Sequence, residues 1–307
     1  MIPLWLSLTL ISAFTLATSD ALTKKALAGH NEYLVTWLRI LPAAPLFLIP
    51  LPFIPIPPLG GEFYLCLLLG LPLEAAALFL YSKALKLSPL NLTLPLLSLT
   101  PLLLLILPSL LLGEKLTAPG AAGVVLIALG SYLLNAGRSS LTRPSATLAP
   151  RERASMANGG VLAPLRALFS EKGSLCMIAV ALIYSVTSVI GKRAIALSSP
   201  LFFAAIYFPL LVLCTAPLAL YKGKRELAAL STNGVLTASL LPALFYTIQI
   251  LSHIYAITLT NVAYMIAVKR LSLLFGVLYG RYLFGERGGI IASLLMLAGV
   301  FLITCGQ

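Results

Sequence analysis

The sequence predicts an all-α membrane protein, with ten transmembrane helices in two inverted five-helix repeats. Three observations carry that expectation. The 307-residue chain is 60% hydrophobic and 10% charged, against about 25% charged for a soluble domain. Its charges sit in short clusters, and uncharged runs such as 88–113 and 194–221 lie between them. Such runs can cross a ~30 Å hydrocarbon layer, which takes about 20 helical residues. Finally, one pattern occurs twice. Lys24-Lys25-Ala26 returns 168 residues later as Lys192-Arg193-Ala194, and Gly113-Glu114 returns after 172 residues as Gly285-Glu286. Each half holds five apolar segments. Five is odd, so the second half enters the membrane from the opposite side, an arrangement common among secondary transporters. The runs lack apolar/polar alternation, which argues against a β-barrel.

Apolar periodicity places the ten segments at 3–23, 33–51, 63–85, 90–112, 117–136, 174–191, 201–220, 235–258, 261–283 and 288–305. No basic stretch precedes the first, so it reads as a retained helix rather than a cleaved leader. The second runs into Pro50, Pro52, Pro55, Pro57 and Pro58. That density excludes helix over 50–58 and marks a stiff extended connection. The third holds Glu74, the fourth stops at Gly113, and the fifth ends before a basic stretch. That stretch, 138–172, carries Arg138, Arg143, Arg151, Arg153, Arg166 and Lys172 without apolar periodicity. It reads as a linker whose last part, Val161–Phe169, forms a short helix on the membrane surface. The remaining five segments repeat the first five. The organisation is therefore repeat 1 over 1–137, linker over 138–172 and repeat 2 over 173–307.

The net charge of +12 does not point to nucleic acid, because basic residues ordinarily flank membrane helices. Odd-numbered connections and their flanks carry fifteen Lys and Arg, even-numbered connections three, and Arg39, Lys269 and Arg270 lie inside segments. Positive-inside bias then puts the linker in the cytoplasm and both termini outside. Cys66, Cys176, Cys214 and Cys305 all fall in apolar runs without metal-ligand spacing. Buried free thiols are expected, with no metal site and no cofactor.

Several quoted stretches resemble a known family. The first segment ends ATSDALTKKAL, with Arg39 early in the second. A small residue and an apolar one precede the fourth segment (Ala84-Leu85), Thr100-Pro101 punctuates it, Gly113-Glu114 follows it, and Gly123 and Gly130 lie in the fifth. The second half matches with Ala256-Ile257, Leu271-Ser272, Gly285-Glu286 and Gly299. In order, spacing and repetition this is similar to the EamA-type branch of the drug/metabolite transporter superfamily, over nearly the whole chain. The resemblance implies two EamA-like repeats, a central cavity between them and alternating access. It also implies cytoplasmic termini, opposite to the charge count. The second connection departs from the family pattern by lacking basic residues.

Polar residues inside the segments are the functional pointers, since a charge at mid-bilayer costs roughly 2.5–3.5 kcal/mol on insertion scales. Lys269 and Arg270 stand about eight residues into the ninth segment, on the order of 12 Å deep. Adjacent positions differ by about 100°, so the two point different ways. The pair reads either as an anion site for carboxylate or phosphate or as a structural pair neutralised by Glu74. It resembles a Lys-Arg pair in the same helix of phosphorylated-sugar carriers. The 172-residue offset sets Glu74 against Tyr246, Ala77 against Gln249 and Tyr81 against His253. Tyr246, Gln249 and His253 share one helical face, and Glu74 and Tyr81 share another, so the two stripes read as opposing cavity walls. Glu74 reads as a proton carrier or as the partner of a base. Thr18, Ser19 and Asp20 match Val186, Thr187 and Ser188; most such hydroxyls are expected to bond carbonyls one turn back. Arg39 matches Tyr207, and it either snorkels toward the first connection or lines the cavity. Gly276 and Gly280 are spaced for close helix approach.

The leading expectation is a secondary transporter of small anionic or zwitterionic metabolites in the cell membrane, with a coupling proton or ion and lipid as its other partners. Multidrug export is the alternative within transport; the basic pair disfavours a purely cationic drug. An intramembrane enzyme or a sensor subunit is the alternative from other classes. Neither Gly-x-Ser-x-Gly nor a paired-aspartate motif occurs, and there is no phosphate-binding Gly-x₄-Gly-Lys-Ser/Thr loop, so ATP does not drive the protein directly. Nothing in the sequence sets an oligomeric state.

Overall fold

The structure, a computed structural model, describes residues 3–88, 94–139, 172–229, 234–275 and 290–306. These are helical throughout apart from their connections, with no strand among the described residues. In chain order the helices are α1 (Leu4–Leu27), α2 (Glu32–Ile40), α3 (Ala43–Leu48), α4 (Gly61–Leu87), α5 (Leu99–Leu103), α6 (Leu107–Leu112), α7 (Ala118–Ser139), α8 (Lys172–Ala196), α9 (Pro200–Ala228), α10 (Val235–Thr258), α11 (Val262–Lys269) and α12 (Ile290–Cys305). Six spans are long and apolar enough to cross a membrane: α1, α2 with α3 and the turn after it, α4, α8, α9 and α10. Shorter apolar stretches cover 96–112, 118–133 and 291–305.

Local chemistry sets the ends. Asn31 caps α2, its side chain accepting from the backbone N–H of Tyr33 and Leu34 at 3.0 and 3.3 Å. Ser199 caps α9 by accepting from Phe202 N–H, with Pro200 opening the helix, where a missing N–H is harmless. Gly113 ends α6 at φ +69°, a left-handed stop that glycine adopts without steric cost.

Three expected continuous helices are broken. The second segment stops at Ile40 and restarts at Ala43, across Pro42. The fourth is a 3₁₀ turn (Leu94–Ser98), then α5, then a turn over 104–106, then α6. Pro95, Pro101 and Pro108 lie along it, each removing a backbone donor and clashing with the preceding turn. The ninth leaves α-helix at Lys269, where Arg270 and Leu271 N–H bond three residues back, to the carbonyls of Ala267 and Val268. The proline-rich connection is extended over 55–60, as expected, but Leu51–Phe53 forms one 3₁₀ turn, whose φ proline already matches. None of the four cysteines is fully buried as expected: Cys66 and Cys176 are half-buried, and Cys214 and Cys305 are exposed. Residues 140–171 with Val161–Phe169, the Gly276/Gly280 pair and Gly285-Glu286 lie outside the described residues.

Packing treats the two halves alike. The most extensive contacts join α1 to α10, α4 to α8, α7 to α12, and α9 to α2 with α3. Exchanging the halves turns α1·α10 into α8·α4 and maps α7·α12 onto itself. At the α7·α12 crossing a Cβ built on Gly123 would lie 2.5 Å from the Gly299 carbonyl, and one on Gly299 2.6 Å from the Gly123 carbonyl. Polar contacts obey the same exchange. Lys24 Nζ donates to the Ser88 carbonyl at 2.8 Å, and also to that of Leu85; Lys192 Nζ donates to the Thr260 carbonyl at 2.6 Å. Ser88 and Thr260 are 172 residues apart. Lys192 further pairs with Glu114 at 2.5 Å, and Glu114 accepts from Val262 N–H at 3.0 Å, capping α11.

Candidate functional site

The helix pairs enclose a central cavity of about 160 Å³, room for several water molecules. Both halves line it: α1, α2, α4, the 3₁₀ turn Leu94–Ser98 and α5 from the first, α8, α9, α10 and α11 from the second. All eight residues singled out from the sequence face it, namely Arg39, Glu74, Tyr81, Tyr246, Gln249, His253, Lys269 and Arg270. Tyr184, Thr187, Ser188 and Tyr207 line it as well.

Arg39 does not snorkel. It is 4% exposed and its Nη2 donates to Asp20 Oδ1 at 2.8 Å. Asp20 Oδ2 accepts from the Tyr81 hydroxyl at 2.7 Å, and the Arg39 guanidinium lies 4.2 Å from the centroid of the Tyr246 ring. A desolvated cation over a ring gains about 2 kcal/mol. Charge, hydrogen bond and ring face thus hold Arg39 on one wall with its charge cancelled. Sequence reading missed this partnership, although a signal for it existed. Residues 20 and 39 lie equally far from the middle of the Ala28–Asn31 turn between α1 and α2, so a hairpin sets them at equal depth.

The basic pair behaves differently. Glu74 and Lys269 line the same cavity. The ion pairs among the described residues include neither Glu74, Lys269 nor Arg270. Neutralisation of the pair by direct contact with Glu74 is therefore not what the structure contains. Lys269 Nζ lies 3.3 Å from His253 Nδ1. Arg270 is 6% exposed, and its buried Nε has no hydrogen-bond partner. Buried polar groups are nearly always satisfied, and a buried unpaired charge is strongly destabilising. The planar fork of a guanidinium in a cavity wall has the geometry to donate to carboxylate or phosphate oxygens.

The remaining polar residues hold helices together. Gln249 Nε2 donates to Ser12 Oγ at 3.4 Å, and Ser19 Oγ donates to the Pro242 carbonyl at 2.8 Å, both across the α1·α10 seam. Thr9, Thr15, Thr18, Ser188 and Ser252 bond carbonyls four residues back, as most hydroxyls were expected to. No group of three His, Cys, Asp or Glu residues stands together as a metal site among the described residues.

Comparison with known proteins gives a family and a fold. The family model described as EamA-like transporter family matches twice, over 3–136 and 171–305. No curated protein matches the chain. A solved structure described only as a crystal structure of a protein is similar over 97% of this chain and 98% of its own, at 20% identity and a TM-score of 0.64.

Proposed function

Because this chain belongs to the EamA-like transporter family, we propose that it is a secondary transporter that carries a small anionic or zwitterionic metabolite across the cell membrane by alternating access. Its units are two inverted five-helix repeats, 1–137 and 173–307, joined by the linker 138–172. The substrate occupies the central cavity, where Arg270 and Lys269 take its negative group and Tyr81, Tyr246, Gln249 and His253 form the walls. Arg39, cancelled by Asp20, shapes the wall rather than binding the charge. Glu74 lines the same cavity, and a zwitterion's positive group would find it there.

One observation carries the choice of charge: the buried Arg270 guanidinium in the cavity wall, which is in no ion pair among the described residues and whose Nε has no hydrogen-bond partner. With Arg39 paired to Asp20 and Arg270 in no ion pair among the described residues, Arg270 is a surplus positive charge. Shielded from water it attracts an anion more strongly than in bulk and repels cations, which disfavours the multidrug alternative. The test is a thermal-stability screen of the purified chain against anions, zwitterions and cations, because a ligand of the folded state raises apparent stability. Anionic or zwitterionic compounds stabilise the parent and lose that effect in Arg270→Gln. Stabilisation by simple cations, or anion effects unchanged in Arg270→Gln, would contradict the assignment.

A further inference from the structure

Lys269 and His253 meet nitrogen to nitrogen, Nζ to Nδ1, at 3.3 Å in the cavity wall. A hydrogen bond between two nitrogens needs a lone pair on one of them. An ammonium has none, and a protonated imidazole has none. The contact therefore belongs to a state in which the two side chains share one proton fewer than they can hold. Fully protonated, both are donors only, and two unit charges stand face to face in a site shielded from water, where repulsion is several-fold stronger than at a solvated surface.

The neighbours on every packed element bear on this pair. Arg270, next along the chain, adds an uncancelled positive charge. On α1 and α2, Asp20 and Arg39 cancel each other. On α4, Glu74 lines the same cavity as Lys269 without pairing with it within 4.0 Å. Tyr81, Tyr184, Tyr207 and Tyr246, from α4, α8, α9 and α10, are neutral phenols lining the same space. No carboxylate touches Lys269 or His253 within 4.0 Å among the described residues. No carboxylate thus stands directly against the pair to let both bases be protonated together.

On the reading of this cavity as an anion site, we infer that His253 and Lys269 form a proton site whose last proton binds together with the anion. The balance is simple. One proton moves from water to the free nitrogen lone pair of the pair, the Nζ–Nδ1 hydrogen bond breaks, and the freed ammonium turns to the anion. Linkage is reciprocal: the anion draws in a proton, and acidification tightens anion binding. A transporter built this way moves a proton in the same direction as its anion. His30, the other histidine of the chain, is set apart from this device, 3.3 Å from Glu226 where α9 ends.

Sulfate is a suitable probe, because it stays a dianion across the range in which histidine titrates, about pH 5 to 8. Its binding to the purified full-length chain is measured by calorimetry, in buffers of different ionisation enthalpy, at a series of pH values. The parent is expected to take up about one proton per sulfate, with affinity falling about tenfold per pH unit through the titration. His253→Gln and His253→Asn flatten that slope, whatever they do to absolute affinity. Sulfate binding with a flat pH profile in the parent overturns the inference. So does a slope that survives both histidine variants and disappears in Glu74→Gln. Absence of sulfate binding at every pH overturns the anion reading itself, and this inference with it. The proton count on the unmodified chain needs no variant to fold.

Discussion

At the scale of single residues, two arginines share one cavity and have opposite status. Arg39 is held by Asp20 at 2.8 Å and by the Tyr246 ring; Arg270 is in no ion pair among the described residues, and its buried Nε, like that of Arg39, has no hydrogen-bond partner. The difference predicts opposite effects on stability. Asp20→Asn leaves Arg39 buried and under-compensated, a loss on the order of 3–5 kcal/mol, read as a clear drop in melting temperature in detergent. Arg270→Gln removes an unpaired buried charge, so its melting temperature stays level or rises while ligand stabilisation disappears. A stable Asp20→Asn would mean that the pair is dispensable, and a destabilised Arg270→Gln that Arg270 has a structural partner. Much of the site was legible here, because charge inside an apolar segment is conspicuous, and all eight chosen residues reached the cavity. What stayed hidden was which charges cancel. That depends on rotation about helix axes and on the depth set by a turn. Glu74, read as a proton carrier or as a partner for the basic pair, lines the cavity with Lys269 and Arg270 but forms no ion pair with either among the described residues.

At the scale of elements, apolar periodicity located the six long apolar spans and the shorter apolar stretches at 96–112, 118–133 and 291–305. It could not foresee where helices would break, since hydrophobic composition continues unchanged through a break. Prolines at 42, 95, 101 and 108 mark two of the broken segments. The third break, at Lys269–Leu271, has no proline or glycine and could not be read from the sequence. Under the 172-residue offset Arg270 corresponds to Ser98, where the 3₁₀ turn gives way to α5. Both interruptions therefore lie at matched positions beside the cavity, as in transporters that bind substrate at discontinuous helices. Close approach of α7 and α12 depends on Gly123 and Gly299, whose built Cβ atoms would strike the opposite backbone. Gly123→Leu is expected to cost at least the 1–3 kcal/mol typical of overpacking. Gly29→Ala, which meets nothing within 4 Å, serves as the neutral control. Equal melting temperatures for the two would show that the crossing tolerates separation.

At the scale of the whole molecule, the repeat seen in Lys24-Lys25-Ala26 and Lys192-Arg193-Ala194 has a counterpart in polar contacts. Each lysine tethers the end of its half's first long helix to the carbonyl that precedes that half's fourth segment. Lys192 also pairs with an acid of the other half, Glu114. Sequence anchors revealed the duplication because tethers and helix stops need particular residues. The pairing of α1 with α10 and of α4 with α8 was not readable, since any apolar face can pack against any other. The cavity these pairs enclose, with contributions from both halves, is the basis for reading the chain as a carrier that exposes one site to two sides in turn. Counterflow into proteoliposomes tests that claim most directly, using the compound that most stabilises the purified parent. Vesicles preloaded with unlabelled compound should accumulate labelled compound when it is added outside, and vesicles bearing Arg270→Gln should not. Binding by the parent without accumulation, or equal accumulation by Arg270→Gln, would contradict the account.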